Sequence, residues 1–194
     1  MFPDGTTLRE LATRAHKMDL KAVVGTTPLL VFRPDRHGEP LLFMTPTDEH
    51  QVQSTFLTDT GALSMSDGGA QGFAIPDAVV VALTKSNRNP EADDTAIRVG
   101  RARTNDVRLR SVNVSKVHAS LEPSDTLGDP RAHPNWQITD HNSANGTWVN
   151  GLKLLPEEPN FLRPSDEIRL ADVTAVFLDA EGLEALLAGL RDAI

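Results

Sequence analysis

Residues 143–151 read SANGTWVNG, and two shorter motifs precede them: VGRA at 99–102 and VSKVHA at 114–119. Each motif places a polar loop beside a segment with the apolar pattern of a strand. The pair Asn150-Gly151 predicts a hairpin, because a type I′ turn needs positive φ at both central residues and these two residue types accept it readily. This part of the chain therefore predicts short strands joined by ordered loops.

The same pattern continues on both sides of these motifs. Strands are predicted at 79–83, 96–99, 107–110, 118–121, 136–139, 147–149, 167–170 and 173–178. Many short strands with turn-rich connections predict a mainly β fold, a twisted antiparallel β-sandwich over residues 78–178. Residues 179–194 are predicted to form a short C-terminal helix on the sandwich, because Leu183, Leu186, Leu187 and Leu190 share one helical face.

Residues 1–77 have a mixed pattern. Thr7 and Glu10 have the spacing of a capping box, which predicts a helix that begins there. Apolar runs at 28–32 and 41–44 predict two strands, and a polar region follows them. The segment is therefore an N-terminal α+β extension of the sandwich or a small separate domain, of unknown role.

Composition and charge exclude several classes of protein. The chain has 194 residues, no cysteine and a net charge of −8, so disulfides, thiolate chemistry and general nucleic-acid binding are not expected. Neither a signal peptide nor a membrane-spanning run is visible, and the expected location is cytoplasmic. Residues 98–116 carry six basic side chains and one acid, so this stretch has a net charge of +5 and the rest of the chain −13. A basic island on an acidic body favours a small anionic ligand over a polyanion.

Four side chains in the motifs have the chemistry to hold a phosphate monoester and the peptide beside it. They are the guanidinium of Arg101, the hydroxyl of Ser115, the ammonium of Lys116 and the carboxamide of Asn145. A guanidinium binds phosphate oxygens through a planar fork, and a carboxamide can both donate to and accept from a peptide backbone. The alternative for Arg101 is a surface salt bridge with Asp106.

Taken together, the motifs resemble the signature of the forkhead-associated (FHA) domain over about residues 78–178. The resemblance implies an FHA-like β-sandwich whose loops at one end bind phosphothreonine in partner proteins. It further implies that Arg101, Ser115 and Lys116 contact the phosphate and that Asn145 contacts the ligand backbone. Loop-shaping roles follow for four residues: Gly100, His118, Gly146 and Thr147.

Two positions depart from the fullest family pattern. Ala144 stands where the family often has a hydroxyl side chain, so one donor to the phosphate is lost. Asn113 stands where some members have a basic side chain that reads an acidic residue of the ligand. Both positions are possible determinants of specificity.

Catalysis is not expected. Ser115, His118 and Asp140 are the residue types of a hydrolytic triad, but the serine and histidine are too close along one loop and no oxyanion-hole motif accompanies them. The sequence also lacks a P-loop, kinase motifs and metal-ligand spacing, so neither a cofactor nor a metal is expected.

These patterns predict a non-catalytic, phosphothreonine-dependent adaptor in Ser/Thr kinase signalling. Its partner would be a phosphothreonine-containing protein, either the kinase or its substrate, with no nucleic acid and no membrane insertion. The alternative is a scaffold or self-assembly protein that uses the sandwich surface without phosphate. A third possibility is self-recognition of a phosphorylated threonine within residues 45–59, where four threonines lie in acidic surroundings.

Overall fold

The computed structural model describes residues 6–14, 19–34, 76–86, 95–124 and 136–192. The strands in chain order are β1 (Thr6–Thr7), β2 (Leu29–Phe32), β3 (Val79–Ala82), β4 (Ile97–Gly100), β5 (Val107–Arg108), β6 (Ala119–Pro123), β7 (Trp136–Asp140), β8 (Thr147–Val149), β9 (Leu152–Lys153), β10 (Pro159–Leu162), β11 (Glu167–Leu170) and β12 (Val173–Leu178). The helices are α1 (Leu8–Arg14), α2 (Leu20–Val24) and α3 (Ala180–Asp192).

The described strands form two sheets. The larger has the order β1-β3-β2-β12-β11-β8-β9 and the smaller the order β10-β7-β6-β4-β5. Their pairs are antiparallel except β4 with β5, where Val99 lies opposite Val107 in a parallel register. The predicted mainly β, sandwich-like fold is confirmed, with this one parallel pair at the edge of the smaller sheet.

Alternating apolar side chains of the two sheets fill the space between them. Val99, Leu121 and Ile138 of the smaller sheet belong to the same core as Ile168 and Leu170 of the larger sheet. Because the side chains of a strand alternate between faces, this inward set fixes which residues face outward.

A second apolar layer covers part of the outer face of the larger sheet. Strands β2, β3 and β12 are apolar on both faces because α1, α2 and α3 cover their outer side chains. β2 lies between β3 and β12, so residues 29–32 belong to the same sheet as the C-terminal strands. The predicted strand at 41–44 and the threonine-rich segment at 45–59 lie outside the described residues.

Local signals in the sequence are found at the expected places. Thr7 and Glu10 form the capping box, with the Thr7 N–H donating to Glu10 Oε2 at 3.1 Å and the Glu10 N–H to Thr7 Oγ1 at 3.3 Å. Asn150 and Gly151 have φ values of 50° and 80° and join β8 to β9.

Four short elements were not predicted. β1 and β9 have two residues each and α2 has five, too few to show a periodic pattern. β10 begins with a proline and has a mostly exposed face, which removes the usual strand signals. Among the described residues, no helix is long and apolar enough to span a bilayer.

The packing of α3 can be tested at Leu187, which is 1% exposed. Replacement of Leu187 by Ala leaves a cavity between the helix and the sheet, and we expect a loss of about 2–5 kcal/mol in the free energy of unfolding, measured with urea. Glu184→Ala, at an exposed position of the same helix, should change it by less than about 0.5 kcal/mol. Equal stability of the two variants would show that α3 does not pack as described.

Candidate functional site

Three loops meet at one end of the sandwich, and each carries one of the sequence motifs. The Arg101 N–H donates to the Ser115 carbonyl at 3.0 Å, which ties the loop after β4 to the loop before β6. The Ala144 N–H donates to Ser115 Oγ at 3.0 Å, and Asn145 Nδ2 donates to the Asn113 carbonyl at 2.7 Å. The structure therefore brings together the residues that the sequence predicted to act together.

Arg101 lies on the surface of this end. Its side chain is exposed, and its Nε donates to the Val114 carbonyl at 3.2 Å. That bond uses one of the five guanidinium N–H groups and holds the arm against the second loop. The other donors remain available to an anion.

The alternative predicted for Arg101, a salt bridge with Asp106, is not found. The Asp106 side chain is only 4% exposed, and it accepts from the Arg98 N–H at 2.8 Å and from both the N–H and the hydroxyl of Ser86. Lys85 Nζ lies 3.5 Å from the same carboxylate. Asp106 is therefore occupied in fixing the base of the loop.

Gly100 allows the first two loops to approach each other. A Cβ at this position would lie 2.6 Å from the Lys116 carbonyl oxygen, a distance that backbone atoms do not tolerate. The buried side chain of Asn105 donates to that same carbonyl at 2.6 Å and to the Ala102 carbonyl at 3.0 Å. No role for Asn105 was expected from the sequence, although asparagine side chains commonly bond backbone groups in turns.

Ser115 and Lys116 are joined through their backbones to Arg101 and Ala102. Because Ser115 Oγ accepts from the Ala144 N–H, its own hydroxyl proton is free to be donated to a ligand. Lys116 is exposed, and its carbonyl accepts from the Ala102 N–H at 3.0 Å, which fixes the backbone below the ammonium.

The two departures from the family pattern lie in the same cluster. Ala144 is exposed, and its N–H is the group that binds Ser115. The carboxamide of Asn113 donates to Asp172 Oδ2 at 2.8 Å, in the turn between β11 and β12. Asn113 therefore lies at the edge of the loop cluster, and its effect on specificity stays a prediction.

His118 is fully buried and joins the second and third loops. Its Nδ1 accepts from the Ser115 N–H at 3.1 Å, and its Nε2 lies 2.9 Å from the Gly146 carbonyl. Since Nδ1 faces a donor and Nε2 faces an acceptor, the proton is on Nε2. Burial lowers the pKa of His118, so the ring is neutral.

This geometry differs from that of a catalytic triad. Nδ1 of His118 is bonded to the backbone of Ser115, while the serine hydroxyl faces the third loop. The Asp140 carboxylate accepts from the hydroxyls of Ser143 and Thr147. Each of these groups is thus hydrogen-bonded within the loop cluster, and the loop-shaping roles of His118 and Thr147 stay predictions.

Asp140 organises the third loop. Although burial raises the pKa of this carboxyl, hydrogen bonds from Ser143 and Thr147 outweigh it, and the pKa is below its ordinary value. Gly146 has a φ of 81°, and its carbonyl also accepts from the Ala171 N–H at 3.1 Å. Asp140 Oδ1 accepts from the Ser143 N–H at 2.9 Å, three residues on, which is a spacing used by side-chain caps and could have revealed this role from the sequence.

His141 faces another part of the surface. Its Nε2 lies 2.9 Å from Ser120 Oγ and its Nδ1 3.3 Å from Glu157 Oε2. The ring lines a shallow cavity of about 460 Å³ on the outer face of the smaller sheet, with Ala96, Arg98, Val117, Ser120, Glu122 and Thr139. In the described part of the chain, no three His, Asp or Glu side chains are placed to hold a metal ion.

Comparison with known proteins finds a family that matches the part of the chain carrying the three motifs. The FHA domain model matches residues 97–171, a segment that contains all three motifs. The resemblance predicted from the motifs is confirmed, and the FHA domain is a phosphothreonine-binding module. The roles assigned to individual residues stay predictions.

Similar proteins share only part of their length with this chain. An ABC transporter ATP-binding/permease protein of Mycobacterium tuberculosis is 30% identical over 112 residues, which are 58% of this chain and 12% of that protein. The E3 ubiquitin-protein ligase rnf8 of Danio rerio is 32% identical over 82 residues, 40% of this chain and 16% of that protein. The chain thus spans a small part of either relative.

Among solved structures, the crystal structure of the MEK1 FHA domain with a phosphothreonine peptide of HOP1 is similar to this chain. It is 28% identical, with a TM-score of 0.38, over 43% of this chain and 78% of that one.

The buried neutral histidine predicts a pH dependence of stability. Because the pKa of His118 is lowered in the folded protein, the unfolded chain binds its proton more tightly. We expect the free energy of unfolding to be constant above about pH 6.5 and to fall below it by at most about 1.4 kcal/mol per pH unit. The lowered pKa of Asp140 places its own contribution in a separate window, lost as the pH falls below the ordinary aspartate value of 3.8.

Urea unfolding between pH 5 and 8 measures this slope. His118→Gln removes the titrating group and should flatten it, whatever the variant's absolute stability. Leu187→Ala, which lowers stability without removing a titrating group, is the control and should keep the slope. An unchanged slope in His118→Gln would contradict the assignment.

Proposed function

We propose that residues 97–171 bind phosphothreonine in a partner protein and that the chain acts as a non-catalytic adaptor in Ser/Thr kinase signalling. The observation that carries this proposal is the hydrogen-bonded cluster of three loops, which places Arg101, Ser115, Lys116 and Asn145 at one end of the sandwich. Two cationic groups and a hydroxyl with a free proton form a receptor for a phosphate dianion.

The proposed roles follow from the geometry of each group. Arg101 donates to the phosphate through the N–H groups that Val114 does not use. Ser115 adds one donor, and Lys116 adds a mobile charge without fork geometry. Asn145, whose Nδ2 is held by the Asn113 carbonyl, offers its Oδ1 and remaining N–H to the backbone of the bound peptide.

The preformed loops make recognition possible with few phosphate contacts. Their backbones are held by hydrogen bonds to His118, Asn105 and Asp140, so little conformational entropy is lost when a peptide binds. This pre-organisation favours binding even though Ala144 supplies no hydroxyl donor.

The proposed partner follows from the chemistry of the ligand. A phosphothreonine is the product of a Ser/Thr kinase, so the partner is such a kinase or one of its substrates. The acidic remainder of the chain disfavours long polyanions and confines anion binding to this end.

A direct test compares three immobilised peptide libraries that are degenerate around a central phosphothreonine, threonine or phosphoserine. We expect the wild-type protein to bind the phosphothreonine library selectively. Arg101→Ala removes charge-assisted hydrogen bonds of about 1.5–3 kcal/mol, so affinity should fall roughly 10- to 100-fold. Fluorescence anisotropy with a selected peptide measures the loss.

Arg163→Ala is the matched control. It removes the same charge from an exposed position that precedes β11, at the other end of the sandwich, and should leave affinity within about twofold. Equal binding of the phosphorylated and unphosphorylated libraries would refute the proposal and favour the scaffold that works without phosphate.

A further inference from the structure

A row of three side chains lies on the outer face of the larger sheet, across strands β9, β8 and β11. Lys153, Trp148 and Arg169 stand opposite one another in the strand register. The Arg169 guanidinium carbon lies 3.4 Å from the centre of the Trp148 ring, and Lys153 Nζ lies 5.7 Å from it. We call this row the Lys-Trp-Arg row.

The row occupies the part of the outer face beyond the helical layer. The helices pack on β2, β3 and β12, whose outward side chains are apolar. On β11, by contrast, Ile168 and Leu170 face the core, so Arg169 points outward. Trp148 and Arg169 are half-buried and Lys153 is exposed.

Among the described residues, no carboxylate forms an ion pair with either cation. Glu167 precedes Arg169 on the same strand and acts on it only at longer range, and Asp172 is bonded to Ser111 and Asn113. The indole ring attracts both cations through its faces but does not neutralise them. Two like charges at one ring favour an anion that contacts both.

The row is continuous with the loop cluster. A Cβ on Gly146 would lie 2.8 Å from Lys153 Cε and 3.4 Å from its Nζ, so the lysine arm passes directly over this glycine. Gly146 follows Asn145, the residue proposed to hold the ligand backbone. Arg169 Nη1 donates to the Ala171 carbonyl at 3.2 Å, and Ala171 in turn is bonded to Gly146.

We propose that the Lys-Trp-Arg row is a second anion subsite that binds a negatively charged side chain on the same phosphopeptide. This inference rests on the proposed function, because a peptide held at Asn145 must pass Gly146 to leave the loop cluster on that side. The anion is a carboxylate or a second phosphorylated residue, since both satisfy the same pair of cations. The row thereby supplies a sequence preference that does not depend on Asn113.

The experiment uses the phosphothreonine library with two additional arms, in which flanking positions include either Asp and Glu or phosphoserine. The full chain is compared with Lys153→Gln, which removes the charge but keeps a polar side chain over Gly146, and with Lys153→Arg, which keeps the charge. Arg169→Gln is a second test of the row, with its folding checked by urea unfolding. Arg163→Gln controls for the loss of one positive charge.

We expect the wild type to select an anionic residue at a fixed distance on one side of the phosphothreonine. Lys153→Gln should lower the affinity for the selected anionic peptide roughly three- to tenfold, and the affinity for its neutral counterpart less than about twofold. Lys153→Arg and Arg163→Gln should behave as the wild type. The library that is selected more strongly, with Asp and Glu or with phosphoserine, identifies the anion as carboxylate or phosphate.

Two outcomes would overturn the proposal while leaving phosphothreonine binding intact. One is that the wild type binds in a phosphate-dependent way with no anionic preference, and the other is that Lys153→Gln weakens anionic and neutral peptides equally. Binding that ignores the central phosphate would instead refute the proposed function together with this inference. Arg101→Ala should weaken the anionic and the neutral phosphothreonine peptide equally. This result separates a failure of the second subsite from a failure of phosphothreonine binding.

Discussion

The arrangement of the loop end depends on one buried, neutral imidazole. His118 accepts from the N–H of Ser115 and bonds the carbonyl of Gly146, so a single side chain joins the loops that carry the second and third motifs. If the ring were protonated, Nδ1 would become a donor facing another donor, and the bond to Ser115 would be lost. Burial keeps the ring neutral, and the neutral ring keeps the two loops in place.

The buried polar groups around this imidazole fix the backbone of the loops. Asn105 and Asp140 satisfy loop N–H, carbonyl and hydroxyl groups from beneath, and Gly100 lets two backbones approach within contact. With the backbone fixed in this way, the side chains of Arg101 and Lys116 need not contribute to folding. They can point into solvent, where a ligand reaches them.

The sequence predicts the framework of this protein better than the details of its loops. Strands in the core alternate in hydrophobicity or are wholly apolar, and the Asn150-Gly151 hairpin follows from local φ preferences. The loop cluster depends on long-range bonds that no local pattern encodes. Asn105, for example, is an ordinary polar residue in the sequence and is completely buried in the structure. The parallel pairing of β4 with β5 likewise depends on a loop that turns back through Asp106.

The distribution of positive charge is likewise only partly visible in the sequence. The basic island at residues 98–116 is visible because its members are close in sequence. Lys153 and Arg169 are isolated in the sequence, yet strand pairing places both beside Trp148 and next to Gly146. The positive surface at this end is therefore larger than the island and extends to the opposite sheet. Under the proposed function, the loop residues bind groups common to every phosphothreonine peptide, so discrimination among peptides depends on neighbouring groups such as these two cations.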